Sequence, residues 1–167
     1  MESKAIRQYA GVFTALIAYY VIHEGAHLLY AIITGVFKAI NVMSIFGVQI
    51  DIYREQMTDT QLGLFCIAGP VATFIAAWVC IVLSKSICLR QSKMVKAIGY
   101  YVTMTFMFLD PIYLSVIYRF VGGGDMNGIV YLMPETAACI LFGVIFVFHL
   151  LVFVKYVYPV YKKGFAA

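Results

Sequence analysis

Charged residues are scarce in this sequence. Of its 167 residues, 12% are charged and 63% are hydrophobic, and the mean hydropathy is +0.92. A soluble domain of this size is nearer half apolar and about a quarter charged. One soluble core would leave much of this apolar surface in water, so the composition predicts a membrane protein. The chain has no internal repeat, low-complexity tract or linker, and residues 1–167 are predicted to form one domain.

Cysteine pairs of the kind that form metal sites are also lacking. Three of the four cysteines lie within apolar segments, where a small side chain suits helix packing. We therefore interpret all four as packing residues: Cys66, Cys80, Cys88 and Cys139.

Four segments are long and apolar enough to cross a bilayer, which requires about 20 largely apolar residues. They cover about residues 8–36, 62–84, 97–120 and 129–157. Glycines and Pro134 make the start of the fourth segment irregular, so its helix begins at either 129 or 135. In the second case residues 121–133 dip back into the protein. The prediction is an all-α integral membrane protein with four transmembrane helices, with a re-entrant segment before the fourth helix as an open alternative.

Basic residues are divided unequally between the two sides of the membrane in this topology. The side with both termini and the loop between the second and third segments holds nine Lys and Arg, and the other side holds three. Because positive loops stay in the cytoplasm, both termini are predicted to be cytoplasmic, in a multi-pass protein of the cell membrane. The net charge of +4 is then a topology signal, and no nucleic-acid partner is expected. The nine are Lys4, Arg7, Lys85, Arg90, Lys93, Lys96, Lys155, Lys162 and Lys163, and the three are Lys38, Arg54 and Arg119.

The loop between the first two segments, residues 38–59, is too polar to span a membrane. Val48, Ile50 and Ile52 alternate with polar residues, which is typical of a strand, and Gly47 precedes them. The pattern indicates either a short β-hairpin on the membrane surface or an ordinary connecting loop. A hairpin would offer a strand edge to which an extended peptide can add.

Polar residues interrupt the first segment in the stretch VIHEGAHLLY, residues 21–30. His23 and His27 are four residues apart, so on a helix they stand one turn apart on one face. Two imidazoles at this spacing can bind one Zn²⁺, which lowers the pKa of a bound water to about 7, and Glu24 would act as general base and then general acid. A charged group at a helix centre costs about 2.5–3.5 kcal/mol on insertion scales, so such residues usually mark function.

A catalytic zinc takes three protein ligands and leaves one position open, so a third ligand must come from elsewhere in the chain. With the helix ends at the outer membrane surface, the two histidines lie roughly 9–15 Å below it and Asp110 lies roughly 15 Å below it. Asp110 is the only charge in its segment, and we favour it as the third ligand. Asp125, in VGGGDMNG, competes with it if residues 121–133 re-enter the protein.

The second segment contains AGPVATF, residues 68–74, near the predicted depth of the metal. Small residues permit close helix contact, and a proline kinks a helix. Gly69 and Pro70 are therefore either packing residues or an opening through which substrate or water approaches. The residue types alone favour neither interpretation.

Taken in order, HEGAH, a hairpin-like loop, Ala-Gly-Pro and a helix with an intramembrane aspartate resemble the site-2 protease family of intramembrane zinc metalloproteases, in its compact HExxH branch. The resemblance covers roughly residues 15–135, and FLDP and GGGDMNGIVYLMP are also similar to the tail of the smaller members. It implies hydrolysis, with Zn²⁺ as the cofactor, of peptide bonds within or near the membrane. The partners it implies are the lipid bilayer, a membrane protein or peptide as substrate, and a regulatory membrane protein or a second copy of the chain.

Two other classes of function are kept as alternatives. A non-proteolytic zinc-binding membrane protein would keep the metal without any cleavage that depends on Glu24. A structural membrane subunit would pair its polar residues between helices and bind no metal. The position of Glu24 beside His23 favours the protease, because a storage or transport site needs no base there.

Overall fold

The computed structural model describes residues 3–44 and 47–166. Within these residues, four helices are long and apolar enough to cross a membrane, and two strands form a small antiparallel sheet. The predicted all-α membrane fold is confirmed, with its hairpin between the first and second helices. In chain order, the first to fourth helices are Lys4–Ile33, Asp59–Cys88, Lys93–Val121 and Glu135–Ala166.

The third and fourth helices each contain one π-helical turn. The third consists of Lys93–Ile112, the π turn Tyr113–Ile117 and Tyr118–Val121. The fourth consists of Glu135–Val152, the π turn Phe153–Val157 and Tyr158–Ala166. The first π turn closely follows Pro111, a residue that lacks the backbone N–H of a regular helix. The remaining helical elements are the 3₁₀ turn Arg54–Gln56 and the short helix Met126–Ile129.

Two helices begin earlier than the apolar runs predict, each directly after a capping residue. The second helix starts directly after Thr58, which forms a capping box with Gln61. The third starts directly after Ser92, whose hydroxyl accepts a backbone N–H in the first turn. The first helix ends three residues before the predicted boundary, ahead of Gly35, whose φ of +74° lies in the left-handed region.

The hairpin consists of strands β1, Phe37–Ser44, and β2, Gly47–Ile52. They pair antiparallel, with Ile40 opposite Ile50 and Val42 opposite Val48. Residues 45 and 46, between the strands, lie outside the described residues. Ile50 is buried in the core near the end of the first helix, whereas Ile40 and Val42 are exposed. The hairpin is therefore anchored to the core through Ile50 of β2, while these two side chains of β1 remain exposed.

The four helices bury a narrow interior and expose apolar side chains around their outer surface. The third helix packs against the other three. Val21, Val82 and Ile140, from three different helices, are 65%, 72% and 62% exposed. A soluble protein rarely exposes apolar residues so extensively, and lipid is the solvent that suits them.

The segment before the fourth helix folds back against the second helix, as the re-entrant alternative predicts. Gly122, Gly123 and Gly124 have φ values of +101°, +87° and +44°, a path that side chains disfavour. The short helix Met126–Ile129 then packs on the second helix, where a Cβ on Gly128 would lie 2.3 Å from Cys66 Sγ. The fourth helix begins after Pro134, so 135 is the correct choice of the two predicted starts.

We expect Gly128→Ala to destabilise the protein by about 1–3 kcal/mol, the usual range for overpacking. The added Cβ would lie 2.3 Å from Cys66 Sγ and 3.1 Å from the Leu62 carbonyl oxygen. Gly143→Ala in the fourth helix is the matched control, because its Cβ would meet only Ser115 Cβ at 3.9 Å and removal of a helical glycine stabilises by about 0.5–1 kcal/mol. Thermal unfolding in detergent, followed by circular dichroism, measures both. Equal shifts in Tm would contradict the close packing.

Candidate metal centre

His23 and His27 project from one face of the first helix into the protein interior. Their rings lie one turn apart, with centroids separated by 4.9 Å. They are 6% and 3% exposed, although they stand within a helix whose other faces meet lipid. Buried imidazoles need hydrogen-bond partners or a metal, and both ring nitrogens of each histidine have a neighbour.

Asp125 lies beside the Nε2 atoms of both histidines. Its Oδ2 is 3.0 Å from His23 Nε2, and its Oδ1 is 3.4 Å from His27 Nε2. One ligand atom from each of the three residues lies within 4.8 Å of the other two, so the group could hold a metal ion. The left-handed backbone of Gly122–Gly124 places this carboxylate inside the bundle, whereas a surface turn would leave it outside.

Gly69 of the second helix faces the same two nitrogen atoms. A Cβ built on it would lie 2.6 Å from His27 Nε2 and 2.7 Å from His23 Nε2. Any side chain here would occupy the space toward which the Nε2 atoms point. The absence of a side chain therefore fits a metal bound by His23, His27 and Asp125.

Asp110 contacts the opposite side of the His23 ring. Its Oδ2 is 3.3 Å from His23 Nδ1, whereas Asp125 occupies the Nε2 side. The Asp110 carboxylate also accepts hydrogen bonds from the hydroxyls of Tyr19 and Thr73. The Tyr19 ring stacks on His23, with centroids 5.1 Å apart and planes 27° apart. These contacts hold His23 with Nδ1 as the donor to Asp110 and with Nε2 directed at the candidate centre.

His27 is oriented in the same sense by a backbone carbonyl. Its Nδ1 lies 2.8 Å from the carbonyl oxygen of Phe65 in the second helix. A carbonyl oxygen only accepts, so Nδ1 carries the proton and the lone pair of Nε2 is free to bind a metal. The Phe65 ring also packs against the imidazole, with centroids 4.8 Å apart.

Glu24 lies next to His23 in the same turn of the first helix. It is half-buried and lies close enough to both histidines and both aspartates to interact with them electrostatically. The predicted residues Glu24, His23, His27, Asp110 and Asp125 are thus gathered in one region.

An apolar cavity of about 170 Å³ lies on the Asp110 side of the centre, between the second, third and fourth helices. Pro70 lines this cavity, as do Thr73, Asp110 and His149. His149 is fully buried, its Nδ1 donates to the Met107 carbonyl oxygen at 2.6 Å, and within the described residues its Nε2 has no partner. Of the two residues proposed for access, Gly69 therefore faces the imidazoles and Pro70 faces the cavity.

Three contributors to the centre were missed in the sequence: Tyr19, Thr73 and the Phe65 carbonyl. Helical spacing marks the first two, because Tyr19 precedes His23 by four residues and Thr73 follows Gly69 by four residues. Hydroxyl side chains are ordinary in membrane helices, so spacing alone would not have singled them out. A backbone acceptor such as the Phe65 carbonyl oxygen cannot be predicted from residue type, because every residue has one.

We expect Gly69→Ala to abolish or strongly reduce metal binding, because its Cβ would occupy the space between the two Nε2 atoms. Gly25→Ala is the matched control, since it lies between the two histidines and its Cβ would meet nothing within 4 Å. Elemental analysis of the purified variants measures the metal content per chain. Equal metal content in the two variants would contradict this position for the ion.

Comparison with family models, with curated proteins and with solved structures finds no match to this chain. A functional assignment therefore rests on the residues of the candidate centre and their geometry.

Proposed function

We propose that this chain is an intramembrane zinc metalloprotease in which His23, His27 and Asp125 bind the zinc. The observation that carries the proposal is the convergence of two Nε2 atoms and one carboxylate opposite a glycine, beside a glutamate. Three protein ligands with room for a fourth group is the arrangement of catalytic zinc sites, whereas structural sites fill all four positions. The resemblance of the sequence to site-2 proteases leads to the same proposal.

Asp125 replaces Asp110 as the preferred third ligand in this proposal. Asp110 lies at His23 Nδ1, the position of a carboxylate that orients a metal-binding histidine without touching the metal. It raises the basicity of the ring and selects the tautomer whose Nε2 is free. Asp125 contacts both Nε2 atoms, which is the side a shared ion requires.

Zinc bound at this centre would supply Lewis-acid polarisation of the scissile carbonyl and make a water nucleophilic at neutral pH. Glu24 accepts the proton of the attacking water and passes a proton to the leaving amine. Its half-buried position in the same helical turn as His23 suits a group that must meet both the water and the substrate. A centre that only stored or transported metal would have no use for this base.

The proposed substrates are membrane proteins or peptides that can unwind near the centre. The carbonyls of an intact helix are engaged in hydrogen bonds, so a substrate must become extended before it is cut. The hairpin offers strand edges beside the end of the first helix, and Ile40 and Val42 are 50% and 74% exposed there. With both termini in the cytoplasm, as the distribution of basic residues favours, the centre lies nearer the opposite surface of the cell membrane.

We expect about one zinc per chain in the detergent-purified wild type, the count that a single site of this kind requires. Asp125→Ala should lose the metal, since it removes a ligand. Asp110→Ala should retain it with an affinity lower by about 10–100-fold, the usual effect of losing a carboxylate that orients a ligand. Competition with a chelator measures the affinities.

Two results would overturn this assignment in different ways. Loss of zinc in the Asp110 variant, with retention in the Asp125 variant, would identify Asp110 as the third ligand. A wild type without zinc, prepared without chelators, would favour the structural membrane subunit.

We expect Glu24→Gln to retain zinc and to lose cleavage by about 10²–10⁴-fold, the usual contribution of a general acid–base group. The measurement is a quantitative comparison of new protein N-termini in membranes from cells that express the wild type or the variant. Such a comparison detects cleavage of any membrane protein in the cell, so no single substrate has to be chosen. Glu55→Gln, the same change in the 3₁₀ turn Arg54–Gln56, is the matched control.

New N-termini that persist in the Glu24→Gln variant would refute the assigned mechanism. A zinc-loaded wild type that produces none beyond those of the variant would favour the non-proteolytic zinc-binding protein.

A further inference from the structure

A cationic cleft lies at the end of the bundle remote from the hairpin, where the first and third helices begin and the fourth ends. Its volume is about 290 Å³. Lys4, Arg7 and Gln8 line it from the first helix, Lys93 and Tyr101 from the third, and Phe165 from the fourth. The cleft therefore combines three cationic side chains with an amide, a phenol and an aromatic wall.

Helix geometry explains why these groups meet. Lys4, Arg7 and Gln8 share with Gly11 the face of the first helix that turns toward the third. At Gly11 the two helices touch, since a Cβ there would lie 2.5 Å from Tyr101 Cδ2 and 3.2 Å from the Ala97 carbonyl oxygen. Ala97 and Tyr101, which Gly11 approaches, also line the cleft.

The charge at this end is one-sided. Within residues 3–44 and 47–166, no Asp or Glu lines the cleft. The two terminal segments and the loop at this end contain nine basic residues and one acidic residue, Glu2. Glu2 lies outside the described residues. The first turns of the first and third helices contain no acidic residue, and each helix starts with a lysine at its positive dipole end. Lysine is unfavourable at that position unless an anion offsets it.

We propose that the cleft binds the phosphate of an anionic phospholipid headgroup. The cleft lies where spanning helices end, which is the depth of lipid phosphates. Val12, one turn along the first helix from Gln8, is 43% exposed and offers an apolar surface beside the cleft for an acyl chain. Basic pockets between helices at the cytoplasmic surface are suited to such headgroups. A soluble phosphate would gain nothing from the adjoining apolar surface. This site is separate from the candidate metal centre and does not depend on protease activity.

The test is native mass spectrometry of the full chain in detergent with added phosphatidylglycerol or phosphatidylcholine. Wild type should retain one phosphatidylglycerol in preference to phosphatidylcholine. Lys4→Ala combined with Lys93→Ala should weaken its retention by about tenfold or more, since each cation near the headgroup favours the lipid. Lys162→Ala combined with Lys163→Ala is the matched control, because it removes the same charge from exposed positions at the same end. The control should retain the lipid as the wild type does.

Three results would overturn the proposal. Equal retention of the two lipids would show that the cleft does not select an anionic headgroup. Equal weakening of lipid retention in the two double variants would show that the lipid is held by general charge attraction and not by the cleft. Displacement of the lipid by low-millimolar inorganic phosphate would make the cleft a site for soluble anions. Both lysines in the test variant are exposed, and matching Tm values for all three proteins confirm that folding is unchanged.

Discussion

The buried carboxylate of Asp110 is the constraint on which the arrangement of the first three helices depends. It belongs to the third helix and accepts hydrogen bonds from Tyr19 of the first and Thr73 of the second, while it faces His23 Nδ1. A carboxylate in an apolar bundle is costly unless its oxygens are satisfied, so these three helices must keep a common depth and rotation. Once they do, the remaining nitrogen of His23 can point only toward Gly69 and Asp125.

Glycines provide the complementary constraint by allowing backbone to approach where side chains would not fit. Gly69 leaves the space in front of the two imidazoles, and Gly128 lets the folded-back segment rest on the second helix. The left-handed run Gly122–Gly124 turns that segment inward, so that Asp125 reaches the same space from a different part of the chain. Small residues commonly permit such approaches in membranes, where the hydrophobic effect gives helices little reason to associate. Here the approaches position polar groups as well as bringing helices together.

Local patterns in the sequence predict most of the fold and half of the candidate centre. Hydropathy finds the four helices, alternation finds the hairpin, and the four-residue spacing of His23 and His27 finds their shared face. The contact of Asp125 with both histidines could be predicted only as an alternative, because it depends on a non-local turn that hydropathy describes equally well as a surface loop. Helix depth admits Asp110 and the re-entrant alternative admits Asp125, and only the side of the His23 ring that each one contacts separates them. Helix ends were misplaced where Thr58 and Ser92 continue the helix past its apolar run.

The cationic cleft and the candidate metal centre lie at different depths but involve the same pair of helices. His23 is roughly 28 Å along the first helix from Lys4, and Asp110 is roughly 25 Å along the third from Lys93. Between these levels the two helices touch at Gly11 and Tyr101. A phosphate held by Lys4 and Lys93 would draw together the starts of the first and third helices. Farther along, the same two helices are joined by the contact between His23 and Asp110. Rotation of either helix about its axis would strain both contacts at once, so a lipid in the cleft would favour the helix pairing that directs His23 Nε2 at the centre.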